Sequence, residues 1–308
     1  MGRTGLAVTR MGLGCGGYSR LGIRNGASES EAVAVVRKAL ELGINLIDTA
    51  ESYQNEAAVG KAIDGQRDEV ILATKSGSHW EGKLKTPAMV ETSIDKSLRN
   101  LRTDRIDIYQ IHAVTSDVYD DVVDRIYPVL TEMKAKGKIR FIGITEMFEG
   151  DLVHGMLSRA VLDDYWDTMM VGFNLLNQTA REKVLSPLQE KDVGVMCMFP
   201  VRYSLTTSER LMSVLSRLVE TGQLAVEELD SENPLDFLNG KDISSLADVA
   251  YRFCRDEHGI DTVLCGTGNV DHLEENYRSL EGPELDVGTR EKIKQLFRNV
   301  DSVSGSRI

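Results

Sequence analysis

The feature that most constrains this chain is a strict alternation of short, almost wholly apolar runs with longer segments of helical periodicity. Eight runs rich in β-branched residues fall at 11–15, 44–48, 70–74, 106–111, 140–144, 168–172, 193–198 and 262–265. Runs such as VILAT, IDIYQI and FIGI are expected where both faces of a strand are covered, as in a parallel sheet. Between them, residues 29–43 set Ala32, Val35, Val36, Ala39 and Leu40 broadly on one face and stop at Gly43. Residues 87–101 open with Pro87 and carry Val90, Ile94, Leu98 and Leu101 at spacings of three and four. Segments 122–136, 149–161, 180–191, 244–257 and 270–281 behave similarly. Each connection is long enough for the helical crossover that parallel strands need.

This spacing predicts an α/β fold: a single closed (β/α)8 TIM barrel over 1–308, with an N-terminal hairpin and a C-terminal extra helix. The surplus over a minimal barrel of about 250 residues is expected at 1–10, at 202–242 and from 284 onward.

Charge narrows the partners. The 308 residues hold 36 Lys and Arg against 48 Asp and Glu, a net charge of −12, which suits neither nucleic acid nor an anionic membrane. No uncharged apolar run reaches the roughly 18 residues of a spanning helix, and MGRTGLAVTRMGLG lacks the apolar stretch of a signal peptide. A cytoplasmic protein is the expectation. Cys15, Cys197, Cys254 and Cys265 form no CxxC pair and read as small buried residues. No HxH, HExxH or GxSxG occurs, so neither a metal site nor a serine hydrolase is expected.

In such a barrel, chemistry sits at the C-terminal ends of the strands. Asp48 closes the second run and Tyr53 follows five residues later; Lys75 follows the third run and His112 the fourth. A lysine ending an apolar strand needs an anion, which Asp48 next door could supply. A lysine cation near Tyr53 would favour phenolate and lower the phenol toward neutrality, as a general acid requires. Singly, each residue has an ordinary alternative: Asp48 as a helix cap, His112 as a core histidine, Lys75 reaching solvent, Tyr53 with a surface hydroxyl. Their joint occurrence at three neighbouring strand ends is what points to chemistry.

The segments GINLIDTAESYQNEAAVGKAI, VILATKSG, SLRNLRTDRIDIYQIH, GKIRFIGIT, FNLLNQ and VLCGTGNVDHLEENYRSL, spread in order over about 3–281, resemble the aldo/keto reductases. The resemblance implies an oxidoreductase that passes a hydride between a nicotinamide cofactor and an aldehyde, ketone or sugar. Tyr53 would be its general acid/base, Lys75 and Asp48 would tune it, and His112 would hold the carbonyl oxygen. NADP(H) is favoured. No GxGxxG follows a strand, so the glycines at 12–17, Gly16 among them, are better read as barrel floor near the nicotinamide.

Further cofactor contacts are implied residue by residue. Thr145 and Glu146 stand where the family usually has Ser-Asn, and Met170 where it has glutamine. Met198 aligns with a stacking aromatic, beside Phe199, Pro200 and Val201. Arg202 and Arg210 are candidates for the pyrophosphate. Gly266, Thr267, Gly268, Asn269 and His272 would meet the adenosine phosphate, and Glu275 and Asn276 the adenine. No Lys or Arg occurs in 266–272, so NAD(H) stays open and an NADP(H) preference below about a hundredfold is expected. Tyr18, Trp80, its neighbour His79, and His112 are the candidate substrate contacts, and the acidic stretch 115–124 disfavours strongly anionic substrates. The expected partner is a small carbonyl compound or sugar. Two other readings fit the same residues: an NAD-linked sugar or alcohol dehydrogenase working in oxidation, and a cofactor-binding regulatory subunit without turnover.

Overall fold

In a strand, side chains alternate between faces, so each apolar run must be sorted into two cores. The computed structural model describes residues 1–224, 238 and 242–306. Its strands are β1 (Met11–Gly14), β2 (Leu46–Asp48), β3 (Ile71–Gly77), β4 (His79–Trp80), β5 (Lys83–Leu84), β6 (Ile106–Val114), β7 (Ile139–Glu146), β8 (Thr168–Gly172), β9 (Gly194–Met198) and β10 (Thr262–Cys265). Eight of them close into a barrel in the order β1–β2–β3–β6–β7–β8–β9–β10, every pair parallel. β4 and β5 form a small antiparallel hairpin after β3, which the sequence pattern does not reveal.

Helices surround the barrel: α1 (Glu29–Glu41), α2 (Glu56–Ala62), α3 (Pro87–Leu101), α4 (Tyr119–Asp121), α5 (Tyr127–Ala135), α6 (Gly155–Ala160), α7 (Ser186–Glu190), α8 (Ser208–Glu220), α9 (Leu246–Arg255), α10 (Val270–Glu281) and α11 (Val287–Leu296). Local chemistry fixes their starts. Ser28 and Glu31 form a capping box on α1, Thr86 caps α3 with Pro87 at its first position, and Ser245, Asn269 and Asp286 cap α9, α10 and α11. α11 is the expected C-terminal extra helix. Within the 202–242 stretch, α8 accounts for the first half; 225–237 and 239–241 lie outside the described residues. Among the described residues, no helix is long and apolar enough to cross a membrane.

The alternation produces two cores. Outward residues such as Ile47, Leu72, Tyr109, Ile111, Met169 and Val171 pack against the helices. Inward residues Leu46, Ala73, Ile108, Met170, Met196 and Leu264 fill the barrel, closed from below by Leu6. The expected N-terminal hairpin is therefore corrected. Residues 1–10 contain no strand; Gly2–Thr4 make a short 3-10 turn, and the segment plugs the barrel with Leu6, Met1 and Val8. Burying those three against the lumen cluster satisfies the segment better than a second exposed strand pair would.

Candidate active site

Two residues further along β2, β3 and β6, the inward face turns from apolar to polar. Leu46 is followed inward by Asp48, Ala73 by Lys75, and Ile108 by Gln110 and then His112. The period of two thus lifts these side chains into one layer above the apolar plug. The β3–β6 register pairs Lys75 with Gln110, and the β2–β3 register sets Asp48 beside Ala73. Tyr53 comes from the turn Glu51–Tyr53 that follows β2.

The Lys75 side chain is fully buried, so its ammonium must use its donors locally. Nζ donates to both Asp48 carboxylate oxygens at 2.7 and 2.6 Å and to the Thr49 carbonyl at 2.9 Å. Gln110 adds a donor to Asp48 Oδ1 at 3.3 Å. Burial opposes the lysine charge, but Asp48 and Tyr53 outweigh it, and Lys75 titrates above its usual range. It lies 5.2 Å from the centre of the Tyr53 ring, and the His112 ring meets that ring edge-on at 5.6 Å.

The expected lowering of Tyr53 is corrected here. Burial pushes its phenol up, Lys75 pulls it down, and Asp48 pushes it up again. The Lys75 ammonium shares its charge with the carboxylate it holds, so its pull on the phenol is outweighed by the push from burial. Tyr53 is consequently a protonated phenol at neutral pH. His112 moves the other way: burial, then Lys75, bring it down to about 3, so it is neutral and able to give or take one hydrogen bond. Two devices position this pair. Ala113 sits at φ 55° in a register shift between Ile111 and Val114, which turns the strand just past His112. A Cβ at Gly16 would lie 2.5 Å from two Tyr53 ring atoms, so only glycine lets the ring lie there. The glycine thus serves the tyrosine, beyond the floor role expected of it.

The layer opens into a cavity of about 1110 Å³ lined by Asp48, Tyr53, Gly16, Tyr18, Met170, Met198 and Phe199–Arg202. It continues past Arg210 to Gly266, Thr267, Gly268, Asn269 and His272, and exceeds the roughly 300–1,000 Å³ of ordinary small-molecule sites. The residues present fit an extended dinucleotide. The guanidiniums of Arg202 and Arg210 each lie 4.1 Å over a ring centre, on Phe199 and Tyr203, and both line the cavity. Flat, preset cations of this kind suit a pyrophosphate. Arg202 also pairs with Glu149 at 3.0 Å, which leaves Arg210 the freer charge.

Other candidates lie elsewhere. Thr145 and Glu146 do not line the cavity. The Thr145 hydroxyl accepts from Ala113 N–H at 2.7 Å; the Glu146 carboxylate accepts from Gly172 N–H at 2.7 Å and meets fully buried His154 at 2.9 Å. Phe148 stacks on His154 and occupies the space over Gly172, so Glu146 is held in an internal network. Asn276 donates to the Cys265 thiol at 3.1 Å, and Glu275 is exposed on α10. Trp80 stands 58% exposed on β4 and does not line the cavity, nor does His79. In the acidic stretch, Asp120 pairs with Arg159 and Asp117 accepts from Thr115. Sequence reasoning missed Gln110, although its place two residues before His112 on one face was a usable signal. It also missed Glu31, Glu149, Thr206 and Ser306, which line the cavity from helix starts and loops. All four cysteines are buried and free. Among the described residues, no group of three or more His, Cys, Asp or Glu could hold a metal.

Comparison with known proteins agrees with this fold. The sequence model of the aldo/keto reductase family matches residues 10–297. The chain is 31% identical over 317 residues to L-galactose dehydrogenase of Arabidopsis thaliana, covering 99% of this chain and 95% of that one. The holo form of aldo-keto reductase AKR11C1 from Bacillus halodurans superposes with a TM-score of 0.72 at 26% identity, covering 97% and 94%. An aldo/keto reductase from Klebsiella pneumoniae, solved in complex with NADP and acetate, shares the fold at 22% identity and a TM-score of 0.67, covering 94% and 92%.

Proposed function

Because the chain belongs to the aldo/keto reductase family of oxidoreductases, we propose that it reduces aldehydes, ketones or sugar carbonyls with NADP(H) or NAD(H), using Tyr53 as general acid. The observation that carries this is the Lys75–Asp48 pair set beside Tyr53 and His112 at the mouth of one barrel. The reading takes 1–308 as one unit, supported by hydrogen bonds from Asn174 and Asn177 to the carbonyls of Ser304 and Val303.

A bound reduced nicotinamide supplies the hydride. The chain supplies position and a proton. Met170 and Met198 wall the lumen end and exclude water, while Arg202 and Arg210 would anchor the phosphates. Neutral His112 donates a hydrogen bond to the substrate carbonyl oxygen and holds it toward Tyr53. As the carbonyl carbon gains the hydride, its oxygen takes the Tyr53 proton and the product leaves as an alcohol. Lys75 stabilises the phenolate left behind until solvent returns the proton. Tyr18, 70% exposed on the rim, would meet the rest of the substrate.

A dehydrogenase working in oxidation on a sugar is the second reading, supported by the likeness to the plant L-galactose dehydrogenase. It would start from the Tyr53 phenolate that reduction leaves behind, so the same residues serve both directions. One screen tests both. The protein is offered aldehydes, ketones and aldoses with NADPH and with NADH, and sugars and alcohols with the oxidised cofactors, following absorbance of the reduced nicotinamide. Reduction of carbonyls is expected. Cofactor binding without turnover on the whole panel would instead favour a regulatory subunit.

A further inference from the structure

Away from Asp48 and Tyr53, the cavity wall is made by the first turns of two outer helices. Glu31 lies in the first turn of α1 and His272 in that of α10, and both line the cavity. The Lys38–Glu274 ion pair at 2.7 Å ties the two helices side by side and occupies a nearby cation. Glu31 is held in place: the Ser28 N–H and hydroxyl both donate to its Oε2, at 2.7 and 2.6 Å. Among the described residues, Oε1 has no partner. The Ser28 bonds hold the carboxyl below its usual range, so Glu31 is ionised at neutral pH. The adjoining turn cannot offset it with a longer side chain at Gly268, where a Cβ would lie 2.3 Å from the Gly22 backbone nitrogen.

We propose that Glu31 is the residue that discriminates between the two nicotinamide cofactors. Its free oxygen accepts a hydrogen bond from a ribose hydroxyl of the adenosine half, and its charge opposes a 2′-phosphate at the same place. NADPH then gains little over NADH from its extra phosphate. The inference rests on the cofactor reading above.

Equilibrium binding of NADPH and NADH to the whole protein tests it, by titration calorimetry, with wild type and Glu31→Gln compared. Glutamine at this position can still return a hydrogen bond to the Ser28 N–H, so the helix cap survives the loss of charge. NADPH is expected to bind about fivefold tighter to the variant while NADH weakens slightly, the scale of one exposed charge. Glu31→Lys should move the ratio further the same way, and the gap should shrink at 1 M salt, where screening acts within about 3 Å. If both cofactors bind and their Kd ratio is the same in wild type and Glu31→Gln, the proposal is overturned. Equal weakening of both would show a structural role only and would overturn it too. If neither binds the wild-type protein, the cofactor reading itself fails, and the proposal with it.

Discussion

The two ends of the cavity are built from different materials. At the lumen end, Asp48, Lys75, Gln110 and His112 stand on strands, and the Lys75–Asp48 pair is buried with the ammonium bonded to both carboxylate oxygens and to the Thr49 carbonyl. At the far end, Arg202, Arg210, His272 and Glu31 stand on loops and helix starts, where charges meet water and rest on rings or caps. A buried charge leaves no slack, because an unmatched partner costs several kcal/mol. An exposed one can be exchanged at a cost of about 1 kcal/mol or less. The difference teaches where chemistry is fixed and where specificity can drift.

Perturbing the lumen end should therefore have the larger effects. Lys75→Met leaves Asp48 buried without its cation. It should destabilise the fold by about 3–5 kcal/mol and cut turnover by about a thousandfold, measured by denaturant unfolding and steady-state kinetics. A stable, active variant would show that the pair is dispensable and erase the contrast.

Gly16→Ala should come next. The added carbon would sit 2.5 Å from Tyr53 ring atoms, so the ring must move. A displacement near 1 Å should lower kcat by about a hundredfold with little change in cofactor Kd. Unchanged kcat would mean the ring has room that the packing denies it.

Acid gives a smaller, graded effect. His112 is brought from 6.5 down to about 3 by burial and by Lys75, so the unfolded chain binds its proton more readily. Its contribution to stability is complete above about pH 6.5 and is lost as pH falls toward 3, with a slope of at most about 1.4 kcal/mol per pH unit. Unfolding of wild type and His112→Asn across that window should differ by this slope, and parallel curves would refute the buried neutral state. The Glu31→Gln shift in cofactor preference is the smallest effect of the set.

Legibility in the sequence follows the same division. The barrel could be read because fully covered strands leave apolar runs, and all eight barrel strands lie where those runs fall. Asp48, Lys75 and His112 could be read because strand ends are fixed by those runs, and Tyr53 because it follows one closely. The charge state of Tyr53 could not. It depends on how deeply the ring is buried and on the opposed pulls of Lys75 and Asp48, which are matters of distance. The partners of Thr145 and Glu146 could not be read for a related reason. Position along β7 says nothing of His154, eight residues away on the chain from Glu146, turning back to pair with it. Nor does any periodicity reveal that residues 1–10 plug the barrel, since a plug needs only a few apolar side chains in any order.

Tyr53→Phe tests the whole arrangement most directly. The ring and its packing stay while the proton is removed, so binding of the reduced cofactor and catalysis can be measured on one folded protein. The expected result is an unchanged cofactor Kd with carbonyl reduction lowered by at least about a thousandfold. Undiminished turnover in that variant would contradict the role given to Tyr53 and, with it, the chemistry assigned to the lumen layer.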